Sequence, residues 1–188
     1  MLNIGIHQDL APVMPTAPTY IENAVDGSDC LKIIQEASKS KIHTYEPENY
    51  GRFHGTFIPY SDNTAWIYGR LYDLALEINQ EAYKFDPLDM TEHVWYYEFA
   101  EGDSMNWHTD IGNGSPFSGR KLTVILNLST SDEYRGGQLL FNTGEIMSAP
   151  RSQGTVIAFP GYLVNSTEEV RTGVKKVLVA WFGGQFFQ

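Results

Sequence analysis

Five short apolar segments follow one another in the second half of the chain with no helical segment between them. They cover residues 93–99, 122–128, 138–141, 155–159 and 177–182. Each is rich in β-branched or aromatic residues and is bounded by Gly, Pro or charged residues, which is typical of strands. Strands at this spacing favour a β-sandwich or barrel. The sequence therefore predicts a β core from about residue 92 to residue 184.

Two helices are predicted before this core, and both are expected to pack outside it. The first covers about residues 29–39, and its buried side is expected to carry Leu31, Ile34 and Ala37 or Ser38. The second is clearer, because apolar residues repeat at helical spacing at Ile67, Leu71, Leu74 and Ile78. The predicted fold class is therefore mainly β with flanking helices (α+β).

The remaining segments carry weaker patterns. Residues 1–18 are rich in proline and predict an extended lead-in, and residues 41–63 predict loops with at most a short strand. No linker or internal repeat interrupts the chain. All 188 residues are therefore expected to form one domain.

Composition narrows the class of function. Hydrophobic residues make up 42% of the chain, which indicates a folded globular protein. The formal net charge of −10 repels phosphate backbones and anionic lipid, so neither general nucleic-acid binding nor membrane association is expected. The one cysteine, Cys30, fits a reducing compartment. With no signal segment or membrane-spanning apolar run in view, the expected location is cytoplasmic.

A histidine and an aspartate stand two residues apart in the sequence Asn106-Trp107-His108-Thr109-Asp110. Residues i and i+2 of an extended strand point to the same side, so both side chains project into one space. An imidazole and a carboxylate are two of the three ligands in the facial triad of non-heme Fe(II) oxygenases. The pair alone is weak evidence, because a surface turn contains such residues by chance.

Several motifs accompany the pair in a fixed order. They are Glu101-Gly102-Asp103, Arg120, Asn127-Leu128-Ser129, Tyr134-Arg135-Gly136-Gly137-Gln138-Leu139, Gly154-Thr155-Val156-Ile157-Ala158-Phe159-Pro160, Gly173-Val174-Lys175 and Ala180-Trp181-Phe182. This ordered set resembles the Fe(II)/2-oxoglutarate dioxygenases of the prolyl 4-hydroxylase type, particularly their bacterial and phage-like members. The resemblance covers about residues 18–184. Within it, the glycine pair at 136 and 137 predicts a tight turn, since glycine tolerates positive φ.

The resemblance implies a fold, a reaction and its cofactors. The family fold is a double-stranded β-helix, a jelly-roll of two sheets with helices outside. The reaction is hydroxylation of an unactivated C–H bond with Fe(II), 2-oxoglutarate and O2, which yields succinate and carbon dioxide. Ascorbate is an optional further cofactor. The implied metal ligands include His108 and Asp110.

The resemblance also implies a place for 2-oxoglutarate. Lys175 matches the cation that pairs with its far carboxylate, and strand alternation sends Lys175 and Lys176 to opposite faces. Thr123 matches a hydroxyl position that either bonds the same carboxylate or is an ordinary strand residue. The tyrosine that some relatives have three residues before the histidine is Met105 here. Tyr97 either replaces that phenol or packs in the core.

One position departs from the family pattern. The second metal-binding histidine is expected five residues after Pro160, where this chain has Asn165, and no histidine lies C-terminal to His108. Three interpretations stay open. In the first, Asn165 or a water completes the site of a working oxygenase with lower metal affinity. In the second, the protein is a pseudoenzyme or binding module on the dioxygenase fold. In the third, the asparagine is an introduced substitution that disables an ordinary enzyme.

The sequence does not define the substrate. The family favours a peptidyl residue, with proline first, so the expected partners are a small-molecule cosubstrate and a peptide or protein substrate. Small-molecule hydroxylation stays open, and the acidic charge disfavours DNA repair. The loop over residues 111–119 and the aromatic stretch over residues 45–60 are either substrate lids or ordinary connections.

Overall fold

The computed structural model describes residues 16–86 and 88–184, so most of the predicted lead-in and Pro87 lie outside the described residues. The helices are α1 (Gly27–Ala37) and α2 (Ala65–Ile78), and α2 continues as a π-helix (Asn79–Tyr83). The strands are β1 (Thr19–Ile21), β2 (His43–Tyr45), β3 (Gly51–Ile58), β4 (Asp89–Met90), β5 (Val94–Phe99), β6 (Ser104–His108), β7 (Arg120–Asn127), β8 (Tyr134–Gly136), β9 (Leu139–Asn142), β10 (Ile146–Ser148), β11 (Val156–Pro160), β12 (Asn165–Thr167), β13 (Val170–Gly173) and β14 (Lys175–Gly183). A 3₁₀ turn (Phe117–Gly119) precedes β7.

Twelve of the strands in the described residues form two curled antiparallel layers, and β8 and β13 form a separate two-stranded sheet. The major sheet has the order β1-β11-β7-β14-β5-β3, with β2 on the edge of β3 and β4 on β14. The minor sheet, β6-β12-β9-β10, joins it where β3 pairs with β6 at Gly51 and Arg52. This arrangement confirms the predicted jelly-roll with helices outside. The β core begins earlier than the predicted residue 92, because β1, β2 and β3 belong to the major sheet.

Side chains alternate between the two faces of the major sheet. Val94 and Tyr96 of β5 are buried in the core cluster that includes the helices. Tyr97 of the same strand faces the opposite side, where a cavity separates the two sheets. Burial on both faces explains why β7 is a nearly continuous apolar run.

The two helices fit the sequence prediction to different degrees. The predicted stripe of α2, from Ile67 to Ile78, is buried as expected. In α1 the buried residues are Cys30, Ile33 and Ala37, whereas Leu31 is 57% exposed, so its predicted burial is wrong. Leu31 and Ile34 form one apolar face of the helix and Cys30, Ile33 and Ala37 form another, and the second face is the one that is buried. In the described residues no helix is long and apolar enough to cross a membrane.

The segment over residues 41–63, predicted as loops with a short strand, contains more strand than expected. It contains β2 and the eight-residue β3, which lies inside the major sheet between β2 and β5. The glycines concealed the strand pattern. A Cβ atom at Gly55 would lie 2.7 Å from Cδ1 of Tyr97, so the absent side chain leaves room for that ring.

Candidate functional site

A cavity of about 260 Å³ lies between the two sheets, and its wall is mostly aromatic and apolar. A few polar and charged side chains interrupt this wall. The cavity brings together every site residue expected from the sequence, namely His108, Asp110, Thr123, Asn165, Lys175 and Tyr97.

His108 ends β6, and Asp110 follows in the loop beyond it. Nδ1 of His108 lies 2.7 Å from the backbone oxygen of Asn106 and donates to it, which leaves Nε2 to face Asp110. Nε2 lies 3.3 Å from Oδ1 of Asp110. Nε2 of His108 and Oδ1 of Asp110 are both acceptors, and two acceptors at this separation need a shared proton or cation. Metal bonds of about 2.1 Å place adjacent ligands about 3 Å apart, so the pair fits two ligands of one metal.

Three groups hold Asp110 in this orientation. The hydroxyl of Thr123 donates to its second oxygen, Oδ2. Its backbone nitrogen donates to the oxygen of Gly161 at 2.9 Å, and Nη1 of Arg120 donates to its backbone oxygen at 3.3 Å. Partners of this kind orient metal ligands in proteins. The predicted bond of Thr123 to 2-oxoglutarate stays a prediction.

Arg120 is 7% exposed and is paired with Glu92, whose role the sequence did not indicate. Nε and Nη2 of Arg120 donate to the two carboxylate oxygens of Glu92 at 2.6 and 2.5 Å. The guanidinium also lies 3.7 Å from the ring centroid of Trp181. A buried arginine needs such a carboxylate. A partner 28 residues away in sequence cannot be identified without the fold.

Asn165 lies opposite His108 in the pairing of β12 with β6 and is 4% exposed. Its amide nitrogen donates to the backbone oxygens of Leu163 at 3.3 Å and His108 at 3.5 Å. A reversed amide would set its oxygen against two carbonyl oxygens, so the amide oxygen is the end left for the cavity. In the described residues no three His, Cys, Asp or Glu side chains form a metal-binding group. The donor set is therefore one imidazole, one carboxylate and one neutral amide oxygen.

Lys175 lies in the same cavity and is 4% exposed. Its Nζ donates to the backbone oxygen of Gly137 at 2.9 Å, and no ion pair with a carboxylate is found for it in the part of the chain that the structure describes. Burial, together with the nearby charge of Arg151, lowers the pKa of Lys175 to about 7. Lys176 is only half-buried, which confirms that the two lysines face opposite ways.

The predicted glycine turn makes room for this lysine. Gly136 and Gly137 have φ of +73° and +61°. A Cβ atom on Gly137 would lie 2.8 Å from Cγ2 of Val170 and 3.4 Å from Cδ of Lys175. The turn therefore requires glycine both for its backbone conformation and for the space beside Lys175.

Tyr97 and Tyr50 form the aromatic wall near the histidine. The ring of Tyr97 contacts Phe53 at 5.0 Å and Trp95 at 5.8 Å between centroids. Burial raises the pKa of Tyr97, so its hydroxyl stays protonated at neutral pH. Tyr50 lies 4.6 Å from the ring of His108. Sequence reasoning missed Tyr50 as an individual site residue, although it lies in the aromatic stretch over residues 45–60.

Comparison with known proteins places this site in a wider family. Residues 93–183 match the family model of the 2OG-Fe(II) oxygenase superfamily. A PKHD-type hydroxylase of Prochlorococcus marinus is 34% identical over 90 residues, which are 47% of this chain and 40% of that relative. The match therefore spans less than half of the relative's length.

Solved structures share the fold at low identity. A viral collagen prolyl hydroxylase from Paramecium bursaria Chlorella virus-1 has a TM-score of 0.72 at 16% identity, with 89% of this chain and 96% of the other covered. A prolyl hydroxylase from Trichoplax adhaerens, in complex with a peptide fragment of the hypoxia inducible factor oxygen degradation domain, has a TM-score of 0.70 at 12% identity, with 89% and 84% covered. These likenesses establish the fold, and with the family model they confirm the resemblance seen in the sequence.

Proposed function

Because residues 93–183 match the family model of the 2OG-Fe(II) oxygenase superfamily, we propose that this protein is an Fe(II)- and 2-oxoglutarate-dependent oxygenase that hydroxylates an unactivated C–H bond. The observation that carries the proposal is the arrangement of the cavity. A convergent His108–Asp110 pair lies in the same cavity as the buried ammonium of Lys175. A metal site and an anion site in one cavity fit a cosubstrate that is both a chelator and a dicarboxylate.

The residues present fit the metal in part. Nε2 of His108 and Oδ1 of Asp110 would hold it, and the amide oxygen of Asn165 stands at the third position. Fe(II) with 2-oxoglutarate and O2 supplies the oxidising equivalent for C–H hydroxylation, with succinate and carbon dioxide as coproducts. A neutral amide oxygen is a poorer ligand for Fe(II) than imidazole, so we expect lower metal affinity than in an enzyme with two histidines.

The other residues bind and orient. The Lys175 ammonium pairs with the far carboxylate of 2-oxoglutarate, and the Tyr97 hydroxyl is a further donor toward it. Thr123 holds Asp110 and stands close enough to the cavity to contact the same cosubstrate. The aromatic and apolar wall excludes water, which strengthens each of these polar contacts.

For the substrate, we propose a peptidyl residue, with proline first. The supporting facts are the prolyl hydroxylase fold and the relative that was solved with a peptide. The protein itself is acidic, so a peptide is favoured over a nucleic acid.

The test begins with binding and ends with turnover. The protein is mixed anaerobically with Fe(II) and 2-oxoglutarate, the metal-to-ligand absorption band is followed, and succinate is measured after O2 is admitted. Mn(II) with 2-oxoglutarate is expected to raise the melting temperature. The Asn165→His variant is the matched comparison. If neither form binds metal and neither produces succinate, the oxygenase proposal is wrong.

Asn165 also supports a second candidate function, a catalytically impaired enzyme or binding module on the dioxygenase fold. A protein of that kind would bind 2-oxoglutarate without consuming it. Stabilisation by 2-oxoglutarate without succinate favours this candidate, and turnover by the unaltered chain excludes it.

A further inference from the structure

A row of aromatic rings leads from the cavity to the protein surface. We call it the aromatic row, and it consists of Phe53, Tyr45, Trp95, Phe57 and His93. Centroids of successive rings are 5.3, 6.0, 6.0 and 5.2 Å apart. Phe53 and Trp95 also line the cavity. The row is therefore continuous with the wall of the candidate site.

The exposure of the rings rises along the row. Phe53 is 7% exposed, whereas Phe57, on the same face of β3, is 45% exposed, and His93 beyond it is exposed. Phe57 and His93 stack with an interplanar angle of 16°. Contacting aromatic side chains that stay open to solvent are typical of a binding surface.

A free strand edge borders the row. Tyr45 belongs to β2, which in the described residues pairs with β3 alone. The other edge of β2 therefore offers backbone donors and acceptors to an added chain. Aromatic surfaces accommodate apolar and proline side chains. An extended peptide uses the rings and the strand edge together, whereas a sugar or a base would use the rings alone.

The charges beside the row are acidic. Glu46 and Glu48 follow Tyr45, both are exposed, and no ion pair within the described residues involves either. Arg52 is already paired with Asp103. These charges favour a partner with lysine or arginine and disfavour a phosphate-bearing one.

We propose that the aromatic row and the free edge of β2 dock an extended, basic, proline-containing peptide and lead one of its residues into the cavity. The proposal rests on the proposed function for the reacting end of the peptide. The docking proposal also specifies the sequence of the peptide, which the fold alone does not. Apolar or proline residues stack on the row, and basic residues lie beside Glu46 and Glu48.

Fluorescence anisotropy tests the docking. The probes are a labelled peptide of alternating proline and alanine with two lysines at each end, and the same peptide with glutamates at the ends. We expect the lysine peptide to bind more tightly. Phe57→Ala is expected to weaken its binding about three- to tenfold, the size of an aromatic contact. Replacing Glu46 and Glu48 by glutamine is expected to remove the preference for lysine.

The matched control is Trp66→Ala. Trp66 is an exposed aromatic residue of α2, and no ring contact is described for it. Its replacement is expected to leave peptide binding unchanged. If Phe57→Ala binds the lysine peptide as tightly as the parent, or if both peptides bind equally, the docking proposal is wrong. Binding of a maltooligosaccharide in place of the peptide, or dimerisation through the row, overturns it as well.

Binding is measured without metal or 2-oxoglutarate, so it separates this proposal from the proposed function. Peptide binding without succinate formation under any condition contradicts the oxygenase and supports the docking site. Peptide hydroxylation at an unchanged kcat/KM in Phe57→Ala contradicts the docking site alone.

Discussion

The polar groups of the cavity form two sites that differ in how completely the protein supplies their partners. At the anion site, the ammonium of Lys175 is buried beside one backbone carbonyl, and among the described residues no carboxylate pairs with it. At the metal site, His108 and Asp110 are both held by fixed partners, but the third position is occupied by Asn165. The first site therefore offers a complete cation to an anionic ligand, whereas the second has a weak donor at its third position.

Because of this difference, the affinity for the cosubstrate need not follow the affinity for the metal. A buried ammonium without a counterion lowers stability. A carboxylate that pairs with Lys175 removes this cost. We therefore expect 2-oxoglutarate binding to persist even where metal affinity is low.

The largest effect is expected from breaking the anion site. Lys175→Met removes the only buried cation that we assign to 2-oxoglutarate, and we expect its affinity to fall about 100-fold, as for the loss of a charged hydrogen bond of roughly 3 kcal/mol. Isothermal titration calorimetry measures this. The melting temperature is expected to rise, because an unpaired buried charge is replaced by an apolar chain of similar size.

Lys176→Met is the matched control for that variant, since Lys176 follows Lys175 directly on strand β14 but faces the other side of the sheet. It is expected to bind 2-oxoglutarate like the parent. Equal losses in both variants would show that strand β14, and not the Lys175 charge, governs binding.

The second effect is expected from completing the metal site. Asn165→His adds an imidazole opposite His108, and we expect Mn(II) and Fe(II) affinity to rise about tenfold or more. Asn165→Ala is the control, because it removes the amide oxygen and adds no ligand. An unchanged Kd for Mn(II) in the histidine variant would mean that position 165 does not face the metal.

The third effect is a pH dependence at the anion site. The pKa of Lys175 is about 7, whereas the ordinary value for lysine is 10.5. Between these values the unfolded chain binds more protons, so the free energy of unfolding attributable to this group rises with pH across that window. 2-Oxoglutarate needs the charged form, so above pH 7 its binding takes up a proton and its affinity falls up to about tenfold per pH unit. Calorimetry in two buffers of different ionisation enthalpy measures the uptake, and equal heats at pH 8 would refute it.

The smallest effect is expected from loosening the metal site. Thr123→Val removes the hydroxyl that donates to Oδ2 of Asp110. Metal affinity is expected to fall about tenfold, at the lower end of such effects. Thr155→Val is the control, because its buried hydroxyl finds no hydrogen-bond partner in the part of the chain that the structure describes. The two variants are compared by Mn(II) titration, and a larger loss in the Thr155 variant would contradict the role of Thr123.

The sequence predicted most of the fold because its signals are local. The five apolar segments became strands with ends shifted by a few residues, and α2 buries the predicted stripe. The failures arose where the pattern depends on contacts between distant parts of the chain or does not distinguish two faces. Gly51 and Gly55 broke the strand pattern of β3, since their conformations and close contacts depend on neighbours in space. Leu31 was misplaced because two helix faces have similar apolar content.

By itself, the sequence determined the residue types of the site: a His-x-Asp pair, a lysine on a strand that alternates its faces, and an asparagine where the family has histidine. Only the tertiary structure decided which groups form hydrogen bonds and ion pairs with the residues of the site. The bonds of Thr123 to Asp110, Glu92 to Arg120 and Gly137 to Lys175 join distant parts of the chain. No local pattern encodes such pairs, because strand order and register bring them together. The same pairing aligned five rings from three strands and a loop into the aromatic row.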